Sequence, residues 1–318
     1  MKIIVVLPAL NEEKTINDVI SRIPGFCDVF VVDDGSTDRT YSYIRRAGIE
    51  RNKKGDGKVY VLRHLSPKGV GVCFKEGVDN ALSLGADIIV SIDADGQMYP
   101  ELINELINPI INKECDVVIT NRFGLSNLKP EKMPFIKIIG NKIFSKLVSF
   151  LTGQNFSDTQ CGFRAYNRQA AASLNLKGKF TYTQEVLLEL CSKGFNILEK
   201  PIYVRSQRKY GKSKVLRSIT KYIINVLKII FNTLRSTRPS LFFGIPIVFF
   251  GLVGVTSGGF VVVNKYFFDG AIRDYPFLIV LCALFIIISV CFLILLFIIL
   301  FIKDIKVVDE EILRRLKV

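Results

Sequence analysis

Short apolar runs alternate with amphipathic stretches over about the first 210 residues, and that alternation predicts the elements. Residues 2–7 form an apolar run closed by Pro8 and predict a first strand. Asn11-Glu12-Glu13 leads into a helix with Ile16, Val19, Ile20 and Ile23 on one face, and Asn11 suits its cap. Further strands are expected at residues 29–32, 59–63, 88–92 and 116–120, with helices at about 39–47, 70–84 and 100–112 between and after them. Beyond Arg122 the pattern loosens. It reads as a loop at 129–134, a helix at 135–151 carrying Lys137, Lys142 and Lys146, and a polar turn at 158–164. A helix at 186–193, opened by Thr183-Gln184-Glu185, and a strand at 201–205 follow. Strand and helix in turn imply an α/β fold, a mostly parallel sheet with helices on both faces.

Such sheets bind ligands beyond the carboxyl ends of their strands. Polar clusters fall there four times: Asn11-Glu12, Asp33-Asp34, Asp93-Ala94-Asp95 and Asn121-Arg122. Residues i and i+2 of an extended segment point the same way, so Asp93 and Asp95 can both reach one site. Two hard oxygen donors suit Mg²⁺ or Mn²⁺ beside a diphosphate; a polar turn capping the next helix is the plainer alternative. A dinucleotide fingerprint fails, because Gly69-Val70-Gly71 is followed by Phe74 where a third glycine belongs and the first strand has no glycine-rich turn.

The last third of the chain changes character. Residues 241–263 and 277–302 are 23 and 26 residues without a charge, each long enough to cross a bilayer as a helix. Their place late in the chain is wrong for a signal peptide, and the chain opens directly on a strand, so no cleaved export signal is expected. Between them lie only Lys265 and Arg273, whereas basic residues crowd both outer flanks, so the flanks and the N-terminal domain are expected in the cytoplasm. Before the first span, Lys214, Arg217, Lys221, Lys228 and Arg235 fall on one helical face opposite Leu216, Ile219, Ile223, Val226 and Ile230. A basic amphipathic helix there reads as lying in the lipid interface, with packing on the catalytic domain as the alternative. The domains expected are 1–210 (cytoplasmic α/β), 211–238 (interfacial helix), 239–302 (two-helix membrane hairpin) and 303–318 (cytoplasmic basic tail). The formal charge of +14 then finds its partner in anionic lipid rather than nucleic acid. Seven cysteines without a Cys-x-x-Cys pair imply reduced, structural thiols, and the single histidine, His64, leaves little for a histidine-based triad.

Leu7-Pro8-Ala9-Leu10-Asn11-Glu12-Glu13, Val32-Asp33-Asp34-Gly35-Ser36, Asp93-Ala94-Asp95-Gly96-Gln97, Gly162-Phe163-Arg164 and Arg208-x-x-Gly211-x-Ser213-Lys214 occur in that order. Together they resemble the inverting GT-A glycosyltransferases of family 2, in particular the polyprenyl-phosphate type that includes dolichyl-phosphate mannose synthases, over about residues 1–235. The resemblance implies that Pro8, Leu10, Glu12, Asp34 and Ala94 line the nucleotide-sugar pocket. It implies that Asp93, Asp95 and Gln97 hold Mg²⁺ or Mn²⁺ and the sugar diphosphate, with Asp95, Gln97 and Arg122 central to catalysis. Arg122, Lys137, Arg208 and Lys214 are implied to meet the acceptor phosphate. Met98 stands where many relatives carry histidine, and two spans are shared with a glucosyltransferase-like branch.

The implied reaction moves a hexose from a nucleotide-diphosphate sugar, of the GDP-mannose or UDP-glucose or UDP-N-acetylglucosamine type, to a polyprenyl or dolichyl phosphate. That acceptor is already anionic near neutral pH, its second pKa being about 6, so it needs orientation more than deprotonation. The alternatives are a membrane glycosyltransferase acting on a glycan or polymer and a non-catalytic membrane interaction module. Intact Asp93, Asp95, Gln97 and Arg122 weigh against the last.

Overall fold

The structure, a computed structural model, describes residues 1–124, 135–176, 182–205, 231, 235, 239–267 and 275–316. The chain divides into two compact units, Met1–Ile229 and Ile230–Val318. The first holds a seven-stranded sheet made of β1 (Ile3–Ala9), β2 (Asp28–Asp33), β3 (Val59–Arg63), β4 (Ile88–Ser91), β5 (Val117–Asn121), β6 (Arg164–Asn167) and β7 (Ile197–Pro201). Their order is β3-β2-β1-β4-β6-β5-β7. All pairs are parallel except those of β6, which runs antiparallel to both β4 and β5.

The helices of this unit are α1 (Ile16–Arg22), α2 (Thr40–Lys54), α3 (Val70–Ser83), α4 (Ile103–Ile111), α5 (Phe135–Thr152), α6 (Arg168–Ser173) and α7 (Thr183–Ser192). Successive strand residues face opposite ways, and both sets are buried. Ile3, Val5 and Leu7 of β1 join Val29, Val31 and Val90 against Ile16 and Ile20 of α1, Ile44 of α2 and Leu106 of α4. On the other face α3 lies so close that a Cβ on Gly77 would stand 2.4 Å from Val6 Cγ1. Full burial of one such aliphatic side chain stabilises by roughly 1.5–3 kcal/mol.

Four local expectations need correction. The segment around Arg164 is not only a polar turn, because β6 starts at that arginine. Arg164 is fully buried and donates to the carbonyls of Cys161 (2.8 Å), Thr183 (2.6 Å) and Thr159 (2.8 Å), so a charged residue opens a core strand. The last strand spans Ile197–Pro201, not 201–205; Ile202 and Val204 are buried, but Arg205 N–H bonds Gln97 O instead of a strand partner. Asn11 does not cap α1, which is preceded by Thr15. Asn11 is left-handed at φ 49°, and its Oδ1 accepts from Thr37 N at 2.8 Å. Helix α2 outruns its expected end because Arg51 is buried and reaches the carbonyls of Ile20, Ile23, Pro24 and Cys27. Gly55 then closes the helix at φ 75°, a conformation that disfavours other residues.

Helix α5 turns its polar residues inward. Asn141 and Ser145 are buried, with Asn141 Nδ2 donating to Ser157 O and Ser145 Oγ accepting from Thr159 N. Ile143 and Phe150 are 59% and 67% exposed, beside exposed Lys142 and Lys146.

The second unit is a pair of long helices, α8 (Pro239–Phe267) and α9 (Pro276–Leu316). The stretches Pro239–Phe267 and Pro276–Ile302 are long and apolar enough to cross a membrane, and α9 continues past Ile302 to Leu316. Their contact uses small residues: a Cβ on Gly254 would stand 2.8 Å from Ile286 Cγ1, and one on Gly258 2.9 Å from Cys282 Sγ. Ser289 Oγ adds a hydrogen bond to Ile247 O at 2.9 Å. Close backbone approach and interhelical hydrogen bonds are how helices associate where lipid removes the hydrophobic drive. The basic helix expected at 211–238 lies outside the described residues, apart from Phe231 and Arg235.

Candidate active site

The carboxyl ends of β1 and β2 are stitched into one rim. Asn11 N donates to Ser36 Oγ (2.9 Å), Glu12 N to Thr40 Oγ1 (2.8 Å) and Asp34 N to Ala9 O (2.8 Å). Pro8, Leu10 and Glu12 are half-buried on this rim. Gly35, at φ 73°, lets the turn pass with Ser66 C only 2.9 Å from where a Cβ would sit.

Asp34 is buried, and its carboxylate is heavily used. Oδ1 accepts from Lys68 N (2.8 Å) and faces His64 Nδ1 (2.7 Å), while Oδ2 accepts from Gly69 N (2.9 Å). The other ring nitrogen of His64 faces Glu76 Oε2 at 2.5 Å. Burial pushes the Asp34 carboxyl up, but the Lys68, His64 and Gly69 hydrogen bonds outweigh it and hold it below the usual carboxylate range. The ligating atoms of Asp34, His64 and Cys73 lie within 4.8 Å of one another, close enough to hold an ion. Their chemistry fits a hydrogen-bonded knot better. A cation would have to displace two backbone N–H bonds and deprotonate Cys73, whose thiol is pushed up by burial and by the Asp34 charge.

At the end of β4 the chain makes the turn that carries Asp93, Ala94, Asp95 and Gln97. Thr15 Oγ1 pins it by donating to Ala94 O at 2.7 Å, and Gly96 allows it at φ 72°. Asp95 is buried and accepts from Gln97 N at 3.0 Å; Asp93 is half-buried. Gln97 Nε2 donates to Arg205 O at 3.0 Å, and Arg205 Nε donates to Tyr99 Oη at 2.9 Å. The turn thus also clamps the chain that follows β7. Two carboxylates on one tight turn are a hard-oxygen donor set that fits Mg²⁺ or Mn²⁺.

Arg122, after β5, is held by Asp158. Nε and Nη2 donate to its two oxygens at 2.6 and 2.9 Å, and the Arg122 backbone N–H adds a third bond at 3.2 Å. Burial would push the Arg122 guanidinium down, but the Asp158 charge outweighs it and holds it above its ordinary value, and Asp93 adds to the pull. Glu199 of β7 in turn accepts from Ser157 N and Asp158 N. Among the described residues, Nη1 and one N–H of Nη2 remain as the groups Arg122 can offer a ligand.

Residues 4–174, more than half of the chain, match the model of "Glycosyl transferase family 2". The chain belongs to that family. It is a glycosyltransferase with a GT-A fold and two apolar helices after the catalytic domain. It is 35% identical over 213 residues to the UDP-N-acetylglucosamine–dolichyl-phosphate N-acetylglucosaminyltransferase of Methanococcus voltae, covering 63% of this chain and 84% of that one. It is 26% identical to the polyprenol monophosphomannose synthase of Mycolicibacterium smegmatis, covering 67% and 80%. Among solved structures, the glucosyl-3-phosphoglycerate synthase of Mycobacterium tuberculosis, in complex with Mn²⁺, UDP-glucose and phosphoglyceric acid, superposes with TM-score 0.54. At 22% identity over 72% of this chain and 79% of that one, the likeness is one of fold.

Of the residues anticipated from sequence, the structure of this family 2 domain gathers Pro8, Leu10, Glu12, Asp34, Asp93, Ala94, Asp95, Gln97 and Arg122 at the carboxyl ends of four strands. Lys137 opens α5 with its side chain outside the described residues, as are Arg208 and Lys214. Asp158, Glu199, Arg205, Tyr99 and the His64 knot carried no sequence signal of a role. Each acts through a contact more than ten residues away in sequence, which no local spacing encodes.

Proposed function

We propose that this glycosyltransferase moves a hexose from a UDP-linked sugar, with UDP-N-acetylglucosamine first among candidates, to a polyprenyl phosphate such as dolichyl phosphate. The observation that carries the reading is the Asp93–Asp95 turn, with Arg122 nearby, on a family 2 domain whose chain also carries two apolar spans. The names of the Methanococcus and Mycolicibacterium relatives support the lipid acceptor, and the Methanococcus relative supports the donor.

In this reading Pro8, Leu10, Glu12 and Asp34 shape the nucleotide pocket. Asp34 does so by fixing the turn at Lys68 and Gly69. Asp93 and Asp95, with Gln97 beside them, would hold a divalent cation, Mg²⁺ or Mn²⁺, which would supply positive charge against the diphosphate. Arg122 offers its remaining N–H groups to phosphate oxygens, oriented by Asp158; Lys137, Arg208 and Lys214 complete the acceptor contacts. A phosphate oxygen of the lipid bonds to the anomeric carbon from the face opposite the leaving group. The bond from that carbon to the diphosphate oxygen breaks, and the nucleoside diphosphate leaves with the electron pair. No proton has to be removed from the nucleophile, so no general base is required, and the anomeric centre inverts. Preorganised charge at the leaving group is the main source of acceleration.

The acceptor head lies at a membrane surface. The outward apolar and basic face of α5, with Ile143, Phe150, Lys142 and Lys146, suits the cytoplasmic lipid interface, as does the basic segment before the spans. Membranes containing the protein, incubated with labelled nucleotide sugars and polyprenyl phosphate, should place label in an acid-labile lipid fraction. Label in polymer, or in no product, refutes the reading.

A further inference from the structure

Tyr182, at the start of α7, is buried, and among the described residues its hydroxyl makes no hydrogen bond of ordinary distance and angle, the Ser91 hydroxyl beside it being turned to Gly162 O. Buried donors without an acceptor are uncommon because they are destabilising. The ring cannot turn the hydroxyl elsewhere, since it stacks on the fully buried Phe74 with centroids 4.0 Å apart and planes at 11°. Facing the hydroxyl is Gly162. A Cβ there would stand 3.1 Å from Tyr182 Oη and 3.2 Å from both carboxylate oxygens of Asp93. The phenol and the carboxylate therefore flank one small gap, kept open because residue 162 has no side chain. Gly162 itself is anchored by Ser91 Oγ, which donates to its carbonyl at 2.6 Å.

We propose that Tyr182 is a positioning residue for Asp93: its hydroxyl is held across the gap at Gly162 and donates to the Asp93 carboxylate when that side chain turns to engage the nucleotide sugar. Asp93 is half-buried on its turn, whereas the tyrosine ring is held by its stack on Phe74. Closing the gap gives one carboxylate oxygen a fixed partner and leaves the other to the donor side. The glycine of Gly162-Phe163-Arg164 thereby has a physical reason: any side chain there would wedge the pair apart. The proposal rests on the reading that Asp93 holds the donor.

The test compares full-length wild type, Tyr182→Phe, Gly162→Ala and Asp93→Asn in detergent. Three quantities are read: the thermal midpoint alone, its upward shift with UDP and MnCl2, and kcat with UDP-N-acetylglucosamine and polyprenyl phosphate. Tyr182→Phe keeps the stacked ring and deletes only the orphan hydroxyl, so its midpoint without ligand should equal or exceed wild type. Its kcat should nevertheless fall about 10- to 100-fold, the worth of a hydrogen bond to a charged group, and its UDP–MnCl2 shift should shrink. Gly162→Ala should lose the shift and kcat in the same sense. A lower midpoint in Tyr182→Phe with the ligand shift intact makes the hydroxyl merely structural and overturns the proposal. An inactive Asp93→Asn beside silent Tyr182→Phe and Gly162→Ala overturns the role of Tyr182 alone. A fully active Asp93→Asn overturns the donor reading, and the proposal with it.

Discussion

Replacing Asp158 with asparagine removes one charge from the interior and leaves its partner in place. The carboxylate is fully buried and accepts from Arg122 N, Nε and Nη2 and from Gln160 N, at 3.2, 2.6, 2.9 and 3.2 Å. Arg122, with 17% of its side chain exposed, would keep its charge without its paired carboxylate, and the NH2 of the new amide would face one of the guanidinium donors. Breaking a buried pair in this way costs about 3–5 kcal/mol, and the partial exposure of Arg122 places the expectation at the lower end, about 3 kcal/mol. For a domain of this size each kcal/mol moves the thermal midpoint by about 2–4 °C, so a drop of about 6–12 °C is expected. The chain has no tryptophan, so far-ultraviolet circular dichroism of the detergent-purified protein is the suitable readout. Arg122→Gln added to Asp158→Asn should cost much less than either change predicts by addition, because the two residues are coupled. The pH dependence has a definite sign. Burial pushes the Asp158 carboxyl up, but Arg122 outweighs it and holds it below its unfolded value. Its contribution is therefore complete above the unfolded pKa of about 3.9 and is lost as pH falls below that through the folded value. A midpoint shift under about 2 °C for Asp158→Asn, or strict additivity in the double variant, refutes this account of the pair.

Asp95→Asn should lower transfer roughly 100- to 1000-fold with an intact fold; near-normal turnover in excess Mg²⁺ or Mn²⁺ removes Asp95 from the metal site. Arg208→Ala and Lys214→Ala should raise the requirement for lipid phosphate while UDP affinity holds, and the opposite pattern, measured by acceptor titration and UDP binding, reassigns both residues to the donor. A chain ending at Thr237 should still sediment with anionic vesicles in a salt-sensitive way, each basic residue near the surface contributing about 1 kcal/mol. In that chain, Lys221, Lys228 and Arg235 changed together to glutamate should release it; indifference to vesicles at low salt leaves the membrane role to the spans alone.

The alternating strands, the two apolar spans and the polar clusters at four strand ends follow from hydrophobic period and local chemistry, and these are properties of neighbouring residues. They were enough to place Asp93, Asp95 and Arg122 at one rim and to recognise the family. The antiparallel insertion of β6 was not legible, because its first residue, Arg164, is charged and becomes a core residue only through the carbonyls of Cys161, Thr159 and Thr183. The same holds for the direction in which α5 turns its polar side, for the pairing of Asp158 with Arg122 and for the knot of Asp34, His64 and Glu76. The sequence names the groups that can carry charge or donate a proton. Only the tertiary structure decides which meet, since a hydrogen bond or ion pair depends on a separation of about 3 Å between residues that the chain keeps far apart.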